Sequence, residues 1–114
     1  DVRRLIHLAL AMDKRLKMVT VVDDDVDIRD PREVSWALAT RFQPERDTVI
    51  MRGPLDVLDH SSPFARYGAK MGIDATKTWP DEGHGREWPE ELAMDPAVVR
   101  RVDERWAALG LPFA

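Results

Sequence analysis

Asp23, Asp24, Asp25 and Asp27 place four carboxylates within five positions, directly after the apolar run Met18-Val19-Thr20-Val21-Val22. Like charges at that density are costly unless water solvates them, bases pair with them or a metal binds them. The carboxyl end of a buried strand is also where open α/β sheets carry their ligand sites. Asp23, Asp25 and Asp27 alternate as the ligands of a calcium loop do, but the glycine turn and the distant bidentate glutamate of such a loop are missing. His7, His60 and His84 have no compact zinc spacing, and with no cysteine there is neither thiolate chemistry nor a disulfide framework. No Gly-x-Ser-x-Gly elbow, Gly-x-Gly-x-x-Gly fingerprint or phosphate-binding loop occurs. The run therefore reads first as a solvated turn, or one paired with bases such as Arg29 or Arg41.

The elements that position this run can be read from periodicity. Val2, Leu5, Ile6, Ala9 and Met12 recur at helical spacing with Arg3 and Arg4 outward, so residues 2–12 are expected as a helix. The continuous apolar character of residues 18–22 predicts a strand covered on both faces. Asp30-Pro31-Arg32-Glu33 combines an N-cap, a first-turn proline and a glutamate three residues after the cap, a strong helix start. That helix carries Val34, Ala37, Leu38 and Phe42 on one face and ends near Gln43-Pro44. Residues 48–51 form a second short strand, and residues 70–76 a third that Gly72 weakens. Between them lies a long irregular segment punctuated by Gly53-Pro54 and Ser61-Ser62-Pro63. Asp95-Pro96 repeats the cap signal and opens a last helix that runs to about Leu109 and closes at Gly110. The expected fold is α/β: a small mixed or parallel sheet flanked by helices, with a long irregular segment and a C-terminal helix.

At 114 residues the chain makes one domain, 1–114, and its 44% hydrophobic and 33% charged composition is ordinary for a globular protein. A formal net charge of −4 argues against a nucleic-acid scaffold or an anionic membrane surface. No run approaches the roughly 20 apolar residues of a membrane span, and a cytoplasmic location is expected. Asp1 stands where a start methionine would, and the first helix is already under way, so the chain is expected to be a piece of a longer protein. Trp36 and Trp106 fall within helices as core or interface residues, whereas Trp79 and Trp88, each followed by proline, suit either local packing or a segment laid across a neighbouring surface.

A receiver domain of two-component signalling also opens with a strand that ends in an Asp pair. It further needs a phosphoacceptor Asp after a hydrophobic strand and a later Lys-Pro. Asp56, Asp59 and Asp74 follow no suitable apolar run, and Lys-Pro never occurs.

Taken in order, residues 17–27 (KMVTVVDDDVD), 30–47 (DPREVSWALATRFQPERD), 53–63 (GPLDVLDHSSP), 70–77 (KMGIDATK), 79–88 and the last helix from Asp95-Pro96 resemble the carboxy-terminal domain of the UbiD family, the prenylated-FMN-dependent decarboxylases. The resemblance lies toward the bacterial branch that acts on 4-hydroxybenzoate-type acids. It implies a parent enzyme that removes CO₂ from, or adds it to, a small aromatic or unsaturated acid, with prenylated FMN, Mn²⁺ and K⁺ held mainly by a split-barrel domain outside these 114 residues. No catalytic residue and no metal ligand is then expected here, and no cofactor for the fragment alone; Arg86-Glu87 and Glu90-Glu91 are not promoted to that role. The implied partners are the remainder of the decarboxylase chain and further copies in a homo-oligomer. The family's last domain moves as a lid, and the loop at Gly53-Pro54-Leu55 closes over substrate, with Gly53 standing where some relatives carry an aromatic residue. Lys17, with Lys14 as the alternative, corresponds to a lysine that reaches the flavin phosphate in some members; the other reading of Lys17 is an ordinary strand-edge lysine.

Overall fold

The structure, a computed structural model, describes residues 1–110. The chain divides into two compact units, Asp1–His84 and Gly85–Ala114. The first unit holds helix α1 (Val2–Met12), strand β1 (Met18–Val22), helix α2 (Pro31–Thr40), the single turn α3 (Pro44–Asp47), strands β2 (Thr48–Pro54) and β3 (Tyr67–Ala75), and a 3-10 turn at Pro80–Glu82. Its three strands run in the order β1-β3-β2, with β1 parallel and β2 antiparallel to β3.

The sheet is thus mixed, and β3 is its centre. The order helix–strand–helix–strand would set β1 beside β2 as parallel neighbours; instead β2 and β3 form a hairpin, and β3 takes the middle place. β3 begins at Tyr67, before the segment legible as a strand, because pairing with β2 extends it: Pro54 opposes Tyr67 and Gly53 opposes Gly68. β1 is an edge strand and is not covered on both faces: Met18 is 57% exposed and Thr20 is exposed as well.

α1 packs across one face of the sheet through Ile6 and Leu10, both fully buried, which meet Val49 with Val2, Val19, Val21 and Met51 around them. The inward stripe is therefore buried Ile6 and Leu10 with partly buried Val2 and Ala9 beside them, whereas Leu5 (54%) and Met12 (84%) stay exposed. Gly72 explains the seating: a Cβ there would lie 2.0 Å from Ile6 Cγ2. The glycine that weakens β3 in isolation is the hollow into which α1 fits. Lys70, two residues earlier and 3% exposed, donates to the carbonyls of Leu10 (2.9 Å) and Asp13 (2.8 Å). Its ammonium so satisfies carbonyls that the end of α1 leaves without intrahelical partners. Arg3 reaches the carbonyls of Arg46 and Thr48 at 3.2 and 3.4 Å and ties α1 to the start of β2.

α2 starts as its sequence dictates: Asp30 caps the Arg32 N–H at 2.8 Å and Pro31 occupies the first turn. Glu33 reaches back to the N–H of Asp27 rather than to that of the cap residue. In the second unit, α4 (Pro96–Arg105) is capped by Asp95, which accepts from the Ala97 N–H at 2.7 Å. A 3-10 turn at Ala107–Leu109 follows, and Gly110 has a positive φ of 65°. No residue of α4 is buried, and Val98, Val99 and Val102 are 38–43% exposed.

Candidate functional site

Two clusters of charge sit at opposite ends of β1. At the carboxyl ends of the parallel strands β1 and β3, the chain brings together Asp23, Asp25, Arg41 and Lys77. Arg41 follows α2 and its side chain is only 2% exposed. Its guanidinium donates to Asp23 Oδ2 at 2.7 Å and, in a fork, to Asp25 Oδ1 and Oδ2 at 2.8 and 2.9 Å. Lys77 donates its backbone N–H to Asp23 at 2.8 Å and its ammonium to Asp25 at 2.9 Å. Arg41 also lies over the Trp36 ring, 5.2 Å from its centroid, which gives half-exposed Trp36 a partner on the helix surface. Hydrogen bonds from Arg41, and then from Lys77, hold the Asp25 carboxyl well below the usual carboxylate range, and Asp25 in turn raises Arg41.

The acidic run is therefore spent on structure. Asp23 and Asp25 face bases, Asp27 caps the Arg29 N–H at 2.9 Å, and Asp24 is exposed. Of the two bases expected beside the run, Arg41 is the one whose side chain pairs with it; Arg29 enters through its backbone. Among the described residues no group of three or more His, Cys, Asp or Glu side chains could hold a metal ion.

The second cluster contains the candidate residue Lys17. Lys17 precedes β1, and its backbone carbonyl accepts from the Met71 N–H at 2.9 Å, which fixes the residue against β3. Its ammonium, on a side chain 45% exposed, contacts Asp59 Oδ2 at 2.7 Å and the Ser61 hydroxyl. Asp59 is 13% exposed and its Oδ1 accepts from both the N–H (2.9 Å) and the hydroxyl (2.6 Å) of Ser61. Lys17 and then Ser61 hold the Asp59 carboxyl well below the usual range. Lys14, the alternative, is exposed in the turn after α1.

Asp59 and Ser61 belong to the loop 55–66 that joins β2 to β3. Small polar side chains order it from within: Asp56 accepts from the Leu58 N–H, Ser62 donates to the Tyr67 carbonyl, and the Phe64 N–H donates to Ser62. Pro54 ends β2 and is exposed. Leu55 is 3% exposed, and its N–H donates to the Arg66 carbonyl at 2.9 Å. Its side chain lies over Gly68, where a Cβ would come within 2.6 Å of Leu55 Cδ1. Pro54 and Leu55 are thus brought onto the loop that Lys17 holds, Pro54 facing out and Leu55 in. Asp59, Ser61, Lys70 and Lys77 escape a reading of the sequence. The Asp59-His60-Ser61 spacing does signal a local Asx turn, but nothing local reveals a lysine 44 residues away.

Comparison with known proteins agrees with this architecture. Residues 1–75 match the 3-octaprenyl-4-hydroxybenzoate carboxy-lyase C-terminal domain. An uncharacterized protein of Aquifex aeolicus is 44% identical over 104 residues, covering 91% of this chain but 21% of that protein. The UbiD-class enzyme HmfF of Pelotomaculum thermopropionicum, solved with FMN, superposes with a TM-score of 0.67 at 36% identity, over 86% of this chain and 21% of its own. Vanillic acid decarboxylase of Sedimentibacter hydroxybenzoicus in its closed form gives a TM-score of 0.60 at 36% identity, over 82% of this chain and 19% of its own; that protein has also been solved in an open form. The chain thus spans about a fifth of the length of the relatives it matches. It belongs to the UbiD C-terminal domain family.

Proposed function

We propose that this chain is the C-terminal lid and oligomerisation domain of a cytoplasmic, reversible decarboxylase of aromatic or unsaturated carboxylic acids. The observation that carries the reading is the match of its sheet unit to UbiD-class enzymes several times its length. The preceding part of such an enzyme would hold the substrate, the catalytic acids and bases, Mn²⁺ and K⁺. When bound, prenylated FMN supplies the chemistry by which CO₂ leaves or joins the substrate.

What this chain's own residues contribute is closure and a single charge. The Lys17 ammonium fits a phosphate oxygen as a point donor, and the Ser61 hydroxyl, which here accepts from Lys17 and donates to Asp59, could turn its proton to the same anion. Pro54 and Leu55 form the lid segment. Pro54 presents an apolar outer surface, and Leu55 anchors the segment from beneath through its contact with Gly68. A lid of this kind excludes water from the reacting groups and strengthens the electrostatic interactions it covers. Open and closed forms of the vanillic acid enzyme are in keeping with such a movement.

In the test, the 114-residue chain incubated with prenylated FMN and vanillate or 3,4-dihydroxybenzoate gives no turnover. Decarboxylation by the chain alone refutes the reading. In the enzyme that carries this domain, Lys17→Ala lowers flavin occupancy on purification; full occupancy removes the phosphate contact.

A second reading, a stand-alone non-catalytic interaction or assembly module using the Trp-rich segment and the last helix, draws on exposed Trp79 and on α4, whose Val98, Val99 and Val102 form a half-exposed apolar stripe on a helix with no buried residue. Size-exclusion light scattering tests it: a strict monomer at high concentration counts against assembly through this chain.

A further inference from the structure

Lys17 is the residue proposed above to meet a phosphate, yet here its ammonium already has a carboxylate 2.7 Å away. Asp59 cannot share that ammonium with a phosphate cheaply, because two anions at one cation repel each other. Asp59 is also no random surface neighbour. Two hydrogen bonds from Ser61 aim it, its side chain is 13% exposed, and the pair bridges residues far apart in sequence. The consequence reaches the lid, because Asp59 and Leu55 lie on the same loop and Leu55 is fastened at the loop's other end by the Arg66 carbonyl.

We infer that Asp59 is a positioning residue that occupies Lys17 until a phosphate takes its place, so that the Lys17–Asp59 pair is a latch on the lid loop 55–66. The inference rests on the phosphate contact proposed for Lys17. An arriving phosphate monoester takes the ammonium and the Ser61 hydroxyl, Asp59 swings to solvent, and the loop loses its tie to the edge of β1. Occupancy of the cofactor site and mobility of the lid are thereby coupled through one displaceable ion pair. The ammonium side of the pair suits this use, since the Lys17 side chain is 45% exposed and a competing anion can reach it from solution.

The experiment is amide hydrogen exchange on the 114-residue chain and its D59N and K17M variants, with inorganic phosphate titrated at constant ionic strength. In D59N without phosphate, the amides of residues 58–64 exchange faster, on the order of threefold, while those of the paired residues in β3 do not change. Phosphate speeds the same amides in the wild type. It binds D59N on the order of threefold more tightly than wild type, because the competing carboxylate is gone. K17M abolishes the phosphate response. A purely structural Asp59 would not raise phosphate affinity when neutralised. Unchanged loop exchange in D59N overturns the latch whatever phosphate does. Equal phosphate affinity in wild type and D59N overturns the displacement while leaving Lys17 as an anion contact. A loosened loop in D59N with no phosphate binding in either protein overturns both the displacement and the phosphate reading of Lys17.

Discussion

The two ends of β1 solve the same problem in opposite ways. At the carboxyl end, one guanidinium that is 2% exposed serves two aspartates, and Lys77 adds a backbone and a side-chain bond, so four residues from three places in the chain fix one another. At the amino end, one lysine that is 45% exposed meets one loop carboxylate and one hydroxyl. The charges are alike; the burial and the number of ties are not. A buried charge cannot lose a partner without a large desolvation penalty, whereas an exposed one exchanges its partner for water or another anion at little cost. The first cluster is thus suited to holding the crossover from β1 to α2, and the second to letting go.

The comparison breaks most visibly at Arg41. Arg41→Met leaves Asp23 and Asp25 with Lys77 as their one remaining base and is expected to cost about 3 kcal/mol in urea unfolding, toward the low end for a broken buried pair because Lys77 stays and Asp25 is 41% exposed. A loss no larger than that of a surface substitution would place both clusters in one class. The pH profile gives the sign. The Asp25 carboxyl titrates lower in the folded chain than in the unfolded one, through Arg41 and then Lys77, so its stabilisation is present above about pH 4 and is lost as pH falls toward the folded value. The gap between wild type and Arg41→Met is therefore widest near pH 7 and narrows below about pH 4; a gap that widens in acid contradicts the pairing.

How much of this was legible depended on distance along the chain. α1, β1 and α2 announce themselves through local signals, such as the Asp30-Pro31 cap and the run Met18–Val22. The place of β3 does not, because a glycine inside a strand reads as weakness until Ile6 is seen to fill the hollow above it. In the same way nothing local marks Lys70, whose ammonium the open end of α1 draws inward. At the candidate site, Lys17, Pro54 and Leu55 were marked by resemblance alone. The partners of Lys17, Asp59 and Ser61, are set by the β2–β3 hairpin, whose register no local pattern specifies.

Leu55 sharpens the comparison from the loop side. Its side chain is buried over Gly68, so Leu55→Ala removes that contact and is expected to cost about 2 kcal/mol, measured by urea unfolding. That is less than the loss at Arg41, because the contact fastens a loop rather than a crossover between elements. A stability equal to wild type would mean that Leu55 faces outward in solution and closes over substrate directly.

The smallest expected effect is the response to salt, and it separates the two ends most cleanly. Raising ionic strength from about 0.05 to 0.5 M shortens the screening length from above 10 Å to about 4 Å. Screening weakens the Lys17–Asp59 pair through its 45% exposed lysine, so amides in the loop 55–66 should exchange on the order of twofold faster. The Arg41 guanidinium is covered by protein and its fork carries geometry as well as charge, so the amides at Val26 and Lys77, which bond to Asp23, should keep their protection over the same range. If salt loosens both ends equally, burial is not what distinguishes them, and the latch has no privileged weakness. If it loosens only the loop, the amino end of β1 is the place where this domain gives way first.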